Sequence, residues 1–304
     1  MPKIVKYPPA PGSPEWRRTI TASKVGAILG VSRWQSQFSV WHEMAGLVEP
    51  EVLDADRMKW GHVAERSLSD WWRYKNPGWK LNPRRGGTHE IVYTNPELPF
   101  PNMATLDRRA YRPDRPQGER FCILECKTAG TLKDWGRPGT ENSVPRDYAA
   151  QVLFQMGVSG IHRASVVALG PSPEPEIHEI EFDPDAFADM VARLSDWQAT
   201  LDMGIPPELD SEKSTYATVR ELHPDIDLDG VVQIDHAVAL DLLQRAVAED
   251  EGEAAARRAR SDAQVLMGNA KYLRAGEVKV ADRRVKEGGT PYVQFNKSAL
   301  KEFL

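Results

Sequence analysis

A chain of 304 residues with 41% hydrophobic and 27% charged side chains can bury a core without disulfides, and is too apolar to be disordered throughout. A net charge of -5 and a pI near 5.9 exclude a protein that coats nucleic acid through bulk charge, though not an enzyme with a local basic groove. No run approaches the ~18 apolar residues of a membrane span. Met1-Pro2-Lys3-Ile4 lacks the apolar heart of a signal peptide. Two cysteines, Cys122 and Cys126, cannot build a disulfide framework or a four-cysteine metal site, so a reducing cytoplasm is the expected compartment.

Residues 1–15 hold Pro2, Pro8, Pro9, Pro11 and Pro14 and read as an extended lead-in. Residues 21–30 predict a short helix, with Thr21 at its N-cap and Gly30 as its stop. Helices are expected over 40–46 and 57–74. The second spaces Trp60, Val63, Ala64, Leu68, Trp71 and Trp72 helically and closes at Pro77-Gly78. The period then shortens. Residues 89–93 read as a strand, and 101–111 and 120–127 as two more joined by the turn-rich 113–118. Phe121-Cys-Ile-Leu124 is the apolar run of a buried central strand. A helix over 145–158, strands over 163–169 and 176–182, and an amphipathic helix over 184–203 closed by Gly204 follow. This order predicts a mixed α/β (α+β) fold, with helices before and after a small sheet.

Past Pro206-Pro207, residues 211–229 are polar and read as a linker. Residues 236–267 suit a long helix or a helical hairpin interrupted at Gly252. Residues 278–295 suit a β-hairpin turning at Gly288-Gly289, and Ser298 is placed to cap a last short helix. The expected division is therefore an extended segment over 1–15, a core domain over 16–207, and a linker with a helical and hairpin region over 208–304. No internal repeat is visible.

The chemistry concentrates at Asp107 and Glu125-Cys126-Lys127. Strand side chains alternate, so Glu125 and Lys127 share a face. An aspartate near the end of the neighbouring strand completes a pair of carboxylates, a hard oxygen site suited to magnesium or manganese. The Cys126 carbonyl is a third available oxygen. A lysine beside them can orient water and stabilise charge on a phosphate. Glu-x-Lys alone is common, and by itself more often marks a structural ion pair.

The context is more specific. Trp60-Gly61-His62-Val63-Ala64-Glu65, Asn102-Met-Ala-Thr-Leu-Asp107, Ile123-Leu-Glu-Cys-Lys-Thr128 and Tyr148-Ala-Ala-Gln151 follow Ile20-Thr-Ala-Ser23 in order. This set, over about residues 16–204, resembles the PD-(D/E)XK nuclease superfamily, and within it the phage lambda exonuclease and YqaJ-like viral recombinase families. The resemblance implies a central mixed sheet flanked by helices and hydrolysis of linear double-stranded DNA with Mg2+, or Mn2+ in its place, 5′ to 3′. It assigns Asp107 and Glu125, with the Cys126 carbonyl, to metal, Lys127 to the attacking water, Glu65 to a helical acid completing the site, and Gln151 to orienting it. Ser23, with Arg17 or Arg18 before it, Thr105 and Tyr148 fall where the family meets DNA and its 5′-phosphate. A phage or prophage protein of this kind implies a single-strand annealing partner and a homo-oligomer. Two departures stand out: Leu106 replaces the usual proline before the metal aspartate, and Arg108 the glycine after it. Arg108 and Arg109 then face either DNA or the outer side of the sheet.

The alternatives are an endonuclease with the same core, or a non-catalytic DNA-binding or assembly protein. The joint presence of Glu65, Asp107, Glu125, Lys127 and Gln151 argues against the last. His42 and His62 read as helical histidines rather than ligands, and Cys122 and Cys126 as apolar packing rather than a redox pair. Trp135, in a Gly/Pro-rich loop, is the foremost aromatic candidate to face DNA. Lys24, Arg33, Lys133 and Arg137 could track phosphates, and Arg257, Arg258 and Arg260 suit a salt-bridged helix surface.

Overall fold

The computed structural model describes residues 1–50, 55–84, 88–247, 252–286 and 289–303. Its first elements are β1 (Lys3–Ile4), α1 (Pro14–Arg18), β2 (Ile20–Thr21) and α2 (Ala22–Ile28). The proline-rich lead-in is thus not wholly extended: Ser13 caps α1 by accepting from the Trp16 amide, with Pro14 at the first helical position. Next come α3 (Gln37–Met44), α4 (Ala55–Lys75), β3 (Lys80–Leu81), β4 (Ile91–Thr94), β5 (Asn102–Leu106), β6 (Arg108–Tyr111) and β7 (Phe121–Thr128). They are followed by α5 (Arg146–Ser159), β8 (Arg163–Leu169), β9 (Glu176–Glu181) and α6 (Pro184–Met203). Gly160 and Gly204 end α5 and α6 in the left-handed region, at φ 70° and 68°, where an L side chain would be strained.

The remaining elements are α7 (Lys213–Leu222), β10 (Asp227–Gln233), α8 (His236–Val247), α9 (Gly252–Met267), β11 (Ala270–Ala275), β12 (Val278–Arg284), β13 (Tyr292–Phe295) and a 3-10 turn over Lys297–Glu302. Two compact units form. One is Met1–Arg33 with Glu49–Gly204, the other Trp34–Val48 with Ile205–Leu304. No helix among the described residues is long and apolar enough to cross a membrane.

In the first unit, one sheet runs β3-β6-β7-β8-β9 and another β1-β4-β5-β2. β7 is central: antiparallel to β6 and parallel to β8. Its alternate residues Cys122, Leu124 and Cys126 pack on Ala64, Leu68 and Trp72 of α4. Those three are spaced four apart, one stripe of a helix. Burying Leu68 and Leu124 contributes roughly 1.5–3 kcal/mol each. Both cysteines are free and buried, as apolar packing requires, and burial pushes the Cys122 thiol up to about 12. The opposite face of β7 carries Ile123, Glu125 and Lys127.

The stretch expected as one strand over 101–111 is two. β5 pairs with β4 and β2, β6 with β7 and β3, and the chain passes from one sheet to the other at Asp107. The β6–β7 ladder ends at Arg108↔Leu124. Beyond it the Cys126 amide has no ladder partner from β6, and it donates to Asp107 Oδ2 at 2.8 Å.

In the second unit the sheet order is β10-β11-β12-β13. The hairpin expected over 278–295 is β12 with β13, paired from Ala281↔Phe295 to Arg284↔Tyr292, and its expected turn residue Gly288 lies outside the described residues. Residues 211–229 are not a linker: they hold α7 and the start of β10. The buried face of α7 is made largely of hydroxyls. Thr215 donates to Ser36 Oγ at 2.6 Å, and Thr218 pairs with Ser39 at 2.7 Å. A polar buried face has no hydrophobic period to read. The interruption expected in 236–267 separates α8 from α9, with 248–251 outside the described residues. Ser298 does not cap the last turn; Asn296 holds that position and Ser298 lies inside.

Candidate active site

Glu125 is 2% exposed, and three donors surround its two oxygens. Lys127 Nζ lies 2.7 Å from Oε1, Gln151 Nε2 donates to the same oxygen at 2.6 Å, and Gln155 Nε2 donates to Oε2 at 2.7 Å. Lys127 Nζ also donates to Gln151 Oε1 at 3.2 Å, which closes a ring of Glu125, Lys127 and Gln151. Gln151 and Gln155 stand one turn apart on α5, so both meet the same strand. A buried carboxylate requires such donors, since each unpaired charge would cost several kcal/mol.

Asp107 sits at the crossing between the sheets, half-buried and anchored by the Cys126 amide. Burial, and then the negative charges of Glu125 and Glu65, hold its carboxyl well above the usual carboxylate range. Burial also raises Glu65, on α4, against the partial help of His62 Nδ1 at 3.5 Å. Burial works against the charge of Lys127, but Glu125 and Asp107 outweigh it and hold the ammonium above the ordinary lysine range. Three carboxylates thus sense one another and share one close ammonium. That donor set fits a hard divalent cation, which would relieve the repulsion. Among the described residues no group of three His, Cys, Asp or Glu side chains is arranged to hold a metal by itself.

A cleft of about 620 Å3 opens beside Asp107 and Glu65. Lys59, Arg66, Arg84 and Arg108 line it, so the carboxylates that line it lie among basic side chains suited to phosphates. Arg108 takes the cleft side. Arg109 does not: it lies over the Phe121 ring at 4.6 Å and donates to the Tyr93 hydroxyl at 2.6 Å.

Of the other expected residues, Tyr148 and Thr105 meet this cluster and several fall elsewhere. Tyr148 offers its ring to Lys127 at 4.7 Å and to the Arg33 guanidinium at 5.1 Å. Arg33 also pairs with Asp147 at 3.1 Å and Asp134 at 3.3 Å, so it is not a bare phosphate contact. Trp135 packs on the Tyr148 and His178 rings at 5.7 and 5.0 Å, and is a support for that stack rather than a free stacking platform. Lys24 is buried, donating to the carbonyls of Trp16, Arg17 and Thr19 at the end of α1, which removes it from any phosphate track. Arg17 pairs with Glu49 and donates to the Gly12 carbonyl at 2.8 Å. Arg18 and Ser23 are exposed, and Ser23 Oγ lies 3.0 Å from Thr21 Oγ1. Thr105 meets the site through its backbone, its carbonyl accepting from Gln155 Nε2 at 2.9 Å. His42 is buried against the Phe38 carbonyl.

Gln155 was not singled out from the sequence. It is fully buried, and the Gln-x-x-x-Gln spacing from Gln151 was the available signal.

Residues 15–162 match the model of the YqaJ-like viral recombinase domain. Every residue of the carboxylate, lysine and glutamine cluster lies inside it. The chain is 25% identical over 226 residues to the uncharacterized protein YqaJ of Bacillus subtilis (strain 168), across 72% of this chain and 65% of that one. It therefore spans just under two thirds of that relative. Among solved structures it resembles the alkaline exonuclease LHK-Exo of Laribacter hongkongensis, at 17% identity and a TM-score of 0.42 over 62% of this chain and 90% of that one. It also resembles a phage related exonuclease of Haemophilus somnus 129PT, at 14% identity and a TM-score of 0.43 over 62% and 95%. At such scores these likenesses carry no assignment.

Proposed function

We propose that this chain is a metal-dependent deoxyribonuclease of the PD-(D/E)XK type. It digests linear double-stranded DNA from an end, 5′ to 3′, and leaves 3′ single strands for phage-type recombination. The observation that carries this reading is the meeting of Glu125 and Lys127, from one face of β7, with Asp107 at the β5–β6 crossing. Asp107, Glu125 and the Cys126 carbonyl would hold Mg2+, or Mn2+ in its place. When bound, such an ion acts as a Lewis acid on the scissile phosphate and lowers the pKa of water.

The chain's own residues do the rest. Lys127 Nζ holds the water that attacks in line and stabilises charge growing on the phosphate. Gln151 bridges Lys127 and Glu125 and fixes both head groups. Glu65 adds a third acid on the α4 side. Hydrolysis leaves a 5′-phosphate and a 3′-hydroxyl. Arg18 and Ser23 remain the groups proposed for the terminal 5′-phosphate, with Arg17 committed to Glu49. A single-strand annealing protein and self-association, with the second unit as the dock, complete the proposal.

Linear duplex labelled separately at each 5′ and 3′ end tests it. With Mg2+ the 5′ label should be released first, EDTA should stop release, and a covalently closed circle should survive. Cutting of the circle would assign the chain to endonucleases instead.

Gln155 supplies a finer test. Gln155→Met keeps the volume but strips Glu125 Oε2 and the Thr105 carbonyl of their donor. A lost hydrogen bond to a charged group is worth roughly 1.5–3 kcal/mol, so turnover should fall at least about tenfold. DNA affinity, measured in EDTA, should stay near wild type. Loss of affinity with unchanged turnover would show that Gln155 does not position Glu125.

A further inference from the structure

Three arginines lie close together on α9, and they differ in what they touch. Arg257 Nε donates to the Ser211 carbonyl at 2.9 Å, and Arg258 pairs with Asp262 at 3.0 Å. Arg260 has no ion pair or hydrogen bond with any described residue. It lines a pocket of about 290 Å3 within the second unit, enclosed by α7, α8, α9, β13 and the final 3-10 turn. Lys297 lines the same pocket, is exposed, and likewise has no described partner.

Three aromatic residues line the pocket too, beside Ala246, Ala256, Val293 and Gln294. Phe295 is 7% exposed and forms part of the buried core of this unit. Tyr216 is pinned, because its hydroxyl accepts from the Val293 amide at 3.2 Å. Tyr292 is half-buried at the end of β13. Among the described residues, no carboxylate lines it. Two cations without a partner disfavour a wholly apolar ligand, since their desolvation would go uncompensated. They disfavour a cation by simple repulsion. The volume is near the lower end of small-ligand pockets, which admits one nucleotide but no duplex.

We infer that this pocket holds one nucleotide of a single DNA strand, its phosphate against Arg260 and Lys297 and its base against Tyr292. Arg and Lys beside a ring are the pairing that single-strand sites use: cations track the backbone and aromatic faces stack on bases of any sequence. That the strand held is the one left by digestion rests on the proposed function. The binding itself does not.

The test uses the full chain in EDTA and a labelled oligothymidylate, with affinity measured across a salt series. Arg260→Gln and Lys297→Ala should each lower the slope of log affinity against log salt by about 0.7, the contribution of one phosphate contact on a single strand. Tyr292→Ala should weaken binding about tenfold, and Tyr292→Phe should restore it, because the stacking face is kept. Lys297 is exposed, so its replacement leaves the fold intact, and unchanged thermal unfolding should confirm this for the others. Digestion of linear duplex with Mg2+ is measured separately on each variant, so a failed nuclease reading leaves the binding result standing. Unchanged affinity and slope in all variants would overturn the inference. So would an acidic peptide whose binding the variants abolish while oligothymidylate binding persists, since the pocket would then belong to a protein partner.

Discussion

Replacing Lys127 by alanine is expected to reduce cleavage of linear duplex by about three orders of magnitude, the scale of losing a preorganised charge that stabilises the transition state. The ammonium stands 2.7 Å from Glu125 and is the close cation among three acids. Its loss removes both the group proposed to orient water and the counter-charge of a buried carboxylate. Breaking such a pair from one side costs about 3–5 kcal/mol, so Lys127→Ala should also melt at lower temperature without metal. Lys127→Arg separates the two effects. It keeps the charge and should remain folded, but the planar guanidinium cannot place a water as a point-like ammonium does, so it too should be slow. Single-turnover cleavage with Mg2+, beside oligonucleotide affinity in EDTA, measures both. Turnover near wild type in either variant would sink the role given to Lys127.

Asp107→Asn should lose cleavage and most of the affinity for Mn2+, while making the metal-free protein more stable at neutral pH. Asparagine keeps an oxygen for the Cys126 amide and removes the charge that Glu125 and Glu65 repel. The sign follows from linkage. A carboxyl raised in the folded state favours folding below its unfolded pKa of ~3.9, and that contribution is lost as pH climbs through the folded value. Wild-type metal-free protein should therefore lose stability over that rise, and Asp107→Asn should show less of the loss. The same proton must leave before a cation binds, so apparent Mn2+ affinity should weaken as pH falls and binding should release protons. Calorimetric titration in buffers of different ionisation heat, with thermal unfolding across pH, reads both. Unchanged Mn2+ affinity in Asp107→Asn would exclude it as a ligand.

Much of the site is visible along the chain because strand and helix periods are local. Glu125 and Lys127 share a face for the reason that any i, i+2 pair on a strand does, and Tyr148 and Gln151 share one turn of α5. Cys122, Leu124 and Cys126 fall on the other face by the same alternation and meet the stripe of Ala64, Leu68 and Trp72. The cap at Gly204 was legible from the backbone freedom of glycine. The mixed α/β order, and the ordered set of motifs now matched by the YqaJ-like domain, were legible too.

Other features depend on contacts between distant segments. Asp107 lies between two sheets because β7 outlasts its ladder with β6, and nothing near residue 107 announces where that ladder ends. Gln155 is a glutamine on a helix until Glu125 and the Thr105 carbonyl close around it. Lys24 and Arg17, basic residues near a proposed DNA end, are taken up by carbonyls and by Glu49. α7 escaped notice because it buries hydroxyls, whose satisfaction depends on Ser36 and Ser39 far earlier in the chain. The residue types and their periods determined the elements and the chemistry available. The pairing of charges and hydrogen bonds across the sheets decided which groups that chemistry uses, because a buried polar group is defined by its partner, and the partner is distant in sequence.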